Sequence, residues 1–75
     1  MERVWSHASE DFPGREAVVL EDSGAMQSYR RYRSELLEDG KAVKWQHHAS
    51  FPDARLAALK AFYGDLEMAV IRGAL

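Results

Sequence analysis

The stretch SYRRYR, residues 28–33, opens a run that continues as SELLEDG to Gly40. Its reading decides the fold. Three arginines and two tyrosines fall within six residues, so the stretch is either a basic surface or part of one amphipathic helix. At 100° per residue, Ala25, Met26, Tyr29, Tyr32, Leu36 and Leu37 share one face. Gln27, Ser28, Arg31, Ser34, Glu35 and Glu38 share the other. Asp22 or Ser23 can cap the start, because a short side-chain oxygen accepts an orphan N–H. Gly40 stands where a glycine closes a helix in the left-handed conformation. The pattern predicts a helix over 23–39. Arg33 falls inside its apolar arc, where a guanidinium must reach the edge, stack on an aromatic ring or meet a carboxylate. It is a candidate interface residue on those grounds, since arginine often anchors contacts between proteins.

Working outward, residues 1–21 read as two short strands. Val4 to His7 alternate apolar and polar. Pro13-Gly14 is turn chemistry, and the β-branched centre of Glu16–Glu21 follows it. Beyond Gly40, residues 41–48 alternate again, with Val43, Trp45 and His47 on one side. Ser50 then caps a helix over 50–73, with Pro52 in the first turn where its missing N–H has no partner to lose. The order is β-β-α-β-α. It describes one small α+β domain over residues 1–75, with two amphipathic helices packed on a short sheet. A helical pair with a loose N-terminal arm is the other arrangement.

The C-terminal helix carries two stripes. Leu56, Leu59, Phe62, Tyr63, Leu66 and Val70 form the expected core face. Ala57, Ala61, Gly64, Met68, Ile71 and Leu75 follow at the spacing of a coiled-coil seam. A helix apolar on two sides is buried between layers or between chains. The second stripe is therefore an expected partner or oligomer interface, unless residues 1–20 cover it.

The totals narrow the function classes. Seventy-five residues with no cysteine exclude disulfides and thiolate metal sites. So short a chain buries only about 60% of its unfolded surface, which favours tight helix packing or an oligomer. The net charge of −2 gives no overall field that draws the chain to nucleic acid or an anionic membrane. Residues 1–39 hold nine acids and five bases, while residues 40–75 hold three and five. The start, Met1-Glu2-Arg3-Val4-Trp5, lacks the apolar core of a secretory leader. No apolar run nears the roughly 18 residues of a membrane helix. A soluble cytoplasmic protein is the expectation.

No nucleophile elbow, phosphate-binding loop, dinucleotide fingerprint or zinc-protease helix is present. His7, His47, His48 and Asp53 show no metal-ligand spacing, so neither metal nor cofactor is expected. Of Trp5 and Trp45, one is expected in the core and the other exposed as an anchor. The expected function is non-enzymatic. It is a protein-binding or assembly module of inhibitor or accessory type, self-associating as a homodimer through the second stripe. A nucleic-acid-binding regulator is the alternative, using Arg30, Arg31, Lys41 and Lys44 against phosphates.

Overall fold

The computed structural model describes residues 1–74. Strands β1 (Glu2–Ala8), β2 (Arg15–Glu21), β3 (Tyr32–Glu38) and β4 (Lys41–His48) are followed by helices α1 (Phe51–Tyr63) and α2 (Leu66–Ile71). The chain is α+β, with a four-stranded antiparallel sheet in the order β1-β2-β3-β4. No helix among the described residues is long and apolar enough to cross a membrane.

The helix expected over 23–39 does not form. Ser28–Arg30 makes a single 3₁₀ turn, and residues 32–38 are strand β3. The reason lies at Asp39-Gly40. Both residues have positive φ, 52° and 83°, and they join β3 to β4 with Glu38 opposite Lys41. That is a two-residue hairpin turn, which an Asp-Gly pair favours. A left-handed glycine ends helices and hairpins alike, so Gly40 alone did not discriminate. Between β2 and β4, the backbone of β3 finds ladder partners on both sides. The tertiary ladders override the helical spacing.

α1 starts as the sequence predicts. Ser50 Oγ accepts from the backbone N–H of Asp53 at 3.3 Å, with Pro52 in the first turn. The helix expected over 50–73 is nevertheless broken. Gly64 adopts φ 92° and closes α1, its N–H donating to Lys60 O at 2.8 Å. Asp65 then caps α2 by accepting from Met68 N at 2.8 Å. At the other side of the break, Arg15 donates to the Phe62 carbonyl at 2.9 Å, a cation placed where a helix end leaves carbonyls unpaired.

The core lies between one face of the sheet and α1. Ala17 and Val19 of β2 and Leu36 of β3 meet Ala54, Ala58, Leu59, Phe62 and Tyr63 of α1, with Ala69 of α2 at its edge. Phe12 and His7 close it edge-on against Phe62, at ring-centroid distances of 5.4 and 5.0 Å. Leu56, Leu66 and Val70 were expected on this face and are exposed instead. The break at Gly64 re-phases Leu66 and Val70, and Ala69 takes the buried place; Leu56, before the break, lies outside the α1 face that buries Ala54, Ala58, Leu59 and Phe62.

Candidate functional site

Paired residues in an antiparallel ladder share a face, so the register sorts the sheet. Trp5 and His7 of β1, Ala17 and Val19 of β2, and Ser34 and Leu36 of β3 point toward α1. The opposite, outward face carries Arg3, Glu16, Val18, Leu20, Arg33, Glu35, Leu37 and Trp45. A register shift in each edge strand adds one more residue. Val4 and Val43 are these extra residues, at irregularities where strict alternation breaks, and both are exposed. The shortest extent of the molecule is 16 Å, the depth of one helix on one sheet, and neither helix packs on the outward side.

On this face, at the end of β3 beside the 22–31 segment, Arg33 lies over the Trp45 ring, 4.1 Å from its centroid. Its Nε is 2.7 Å from Glu35 Oε2. The contact is an ion pair without hydrogen-bond direction, so the buried Nε–H has no acceptor along its axis. His47 packs edge-on against Trp45 at 5.4 Å, and its Nδ1 is likewise buried with no partner. Trp45 itself is 56% exposed and Val43 53%. Val18, beneath them, is only 1% exposed. Arg3 reaches Glu16 at 3.2 Å across β1 and β2. The face is therefore an apolar floor with two arginine–glutamate pairs and one large open aromatic ring.

The residues singled out in the sequence are divided by the fold. Arg33 was singled out on a helix that does not form; on strand β3 it lies on the outward face, over Trp45 and beside Glu35. Trp45 is the exposed tryptophan. Trp5 is half-buried on the core side, stacked with His7 at 6.2 Å. The second stripe of the C-terminal region is not one seam. Ala57 and Ala61 line a groove between α1 and β4, and Gly64 lies at its end. Met68 packs against the core, Ile71 is 68% exposed on α2, and Leu75 lies outside the described residues.

The basic residues do not converge. Arg30 lies over Tyr29 at 5.8 Å, and Arg31 makes two bonds to Glu21 Oε2, at 3.1 and 3.2 Å. Those bonds raise the Arg31 pKa further above its usual value. Lys41 is at the β3–β4 turn, the far end of β3 from Arg31. Lys44 points to the α1 side, opposite Leu36. Among the described residues, no group of three histidine, aspartate or glutamate side chains could hold a metal ion. His7 instead shares a 2.6 Å hydrogen bond with Tyr63 Oη, and His48 one of 2.9 Å with Ser34 Oγ.

No family model matches this chain, and neither does any curated protein or solved structure.

Proposed function

We propose that the protein is a non-enzymatic assembly module that pairs with a second copy of itself through the outward face of the sheet. The observation that carries this reading is the composition of that face. An antiparallel sheet with one face in water alternates apolar-in and polar-out. β2 runs Ala17-Val18-Val19-Leu20, and β3 and β4 add Leu37 and Trp45 outward. Such strands belong to a sheet covered on both sides.

A second copy fits by charge as well. Arg3 and Arg33 balance Glu16 and Glu35 on the face. A two-fold axis can set the arginines of one copy against the glutamates of the other, as an isologous contact requires. Sheet-on-sheet packing within about 30° of alignment is the natural geometry. Trp45 with Arg33 across it would be the central anchor, since tryptophan and arginine dominate binding energy. Four strands of about seven residues project roughly 440 Å² at the usual strand spacings. This is a modest face, and a concentration-dependent dimer follows. The contact moves from the helical stripe to the sheet because Gly64 interrupts the stripe.

Stacked aromatic and arginine side chains on a sheet can also hold single-stranded nucleic acid. That reading is weaker here, because both arginines of the face already meet glutamates and the chain is net negative. Tryptophan quenching tests the two together. In a Trp5→Phe background, collisional quenching of Trp45 should fall as protein concentration rises, with no oligonucleotide present. Quenching that is constant with concentration, or that falls only when oligonucleotide is added, would reject self-pairing at this face.

A further inference from the structure

A second surface lies on the other side of the sheet and uses other side chains. α1 crosses the sheet obliquely. Its first residue, Phe51, packs on Tyr32 of β3 at 6.1 Å. Its last two, Phe62 and Tyr63, pack on His7 of β1 and on Phe12 of the β1–β2 turn. The crossing leaves a wedge over β4. It is a groove in two adjoining parts of about 240 and 270 Å³. Ala57, Ala61 and Gly64 form the helical wall, Lys44 and Gln46 the strand wall, and Lys60 the mouth.

Strand β4 is the edge of the sheet and eight residues long. One side of its backbone is paired with β3, and the other has no strand beside it. A free edge next to a helix-walled groove is the geometry in which an extended peptide adds as a further strand. Charge selects the occupant. β4 carries Lys41 and Lys44 and no carboxylate, so pairing with another β4 would bring four lysines together. Neither Lys44 nor Lys60 is in an ion pair among the described residues. Opposite charges across neighbouring strands are favourable and like charges are not.

We propose that this groove binds an extended acidic peptide of a partner protein, added as a fifth strand on β4. A small apolar side chain would rest on Ala57 and Ala61. A carboxylate would sit between Lys44 and Lys60. The helical wall of small residues lets the added backbone approach closely, which a wall of leucines would prevent.

The probe is a peptide of alternating valine and glutamate, matched in length to β4, titrated into the isotopically labelled protein. Amide signals of residues 43–48 and 57–64 should shift together. Lys44→Glu with Lys60→Glu should weaken binding by roughly tenfold or more, as reversal of interface charges does. Ala61→Phe should fill the groove and block binding while the far-UV spectrum stays unchanged. Arg3→Ala, on the outward face and outside the groove, should leave peptide binding intact, which separates this site from the outward face. Three results would overturn the proposal. The peptide leaves the groove amides unmoved, a lysine-for-glutamate peptide binds equally well, or the Lys44→Glu, Lys60→Glu variant binds the peptide as tightly as the wild type.

Discussion

His48 shows how one side chain couples the fold to pH. It ends β4 and shares a 2.9 Å hydrogen bond with Ser34 Oγ, a hydroxyl that is 95% buried. Burial lowers its pKa from the usual 6.5, Asp53 opposes that shift, and His47 adds to it. The unfolded chain therefore binds the proton more readily than the folded one. The stability that His48 contributes is fully present above pH 6.5 and is lost as pH falls through the lowered folded value. His48→Gln keeps a hydrogen-bonding group and removes the titration. Its melting temperature should be flatter between neutral and acid pH than that of the wild type. An unchanged slope would mean that other groups carry the acid sensitivity. At this scale the sequence was legible in part. The Ser50 cap and the turn at Gly14 could be read directly, whereas the anomaly of Arg33 was read on a helix that does not form. Asp39 was the residue that carried the missing signal. An Asp-Gly pair flanked by alternating residues is a hairpin mark, and it stood beside a helical spacing that obscured it.

Elements show why the rest was hidden. Residues 32–38 satisfy a helical wheel and a two-residue alternation equally well, because Leu36 and Leu37 supply an apolar residue to either pattern. Only the ladder partners on both sides decide between them, and these are distant in sequence. α1 was legible because its cap, its proline and its apolar spacing agree. Its core contribution is concentrated in Leu59 and Phe62, both fully buried. Phe62→Ala should cost about 3–5 kcal/mol, a large share of the stability of so small a domain. Ser50→Ala should cost about 0.5–2 kcal/mol. Urea unfolding of the two variants checks the ranking, and an equal loss would mean that packing at Phe62 is looser than its burial indicates. The break at Gly64 was also written in the sequence, as a glycine followed by Asp65 in capping position. A continuous apolar seam made it easy to read through.

For the whole molecule, the decisive feature is asymmetry. One face of the sheet is covered by α1 and the other holds Val18, Leu20, Leu37 and Trp45 toward the outside. The unbroken apolar centre of β2 is the sequence signature of a strand covered on both faces. It became interpretable only once β2 was known to lie inside a four-stranded sheet. The two surfaces differ in character. The outward face is charge-balanced and suits a copy of itself, while the groove beside β4 is basic and suits an acidic segment. The central claim is pairing through the outward face, and light scattering behind size exclusion over a range of concentrations tests it most directly. The wild-type mass should rise from one chain toward two as concentration increases. Trp45→Glu should hold it at one chain with an unchanged far-UV spectrum. A wild type that stays at one chain throughout, or a Trp45→Glu variant that still doubles, would contradict the account.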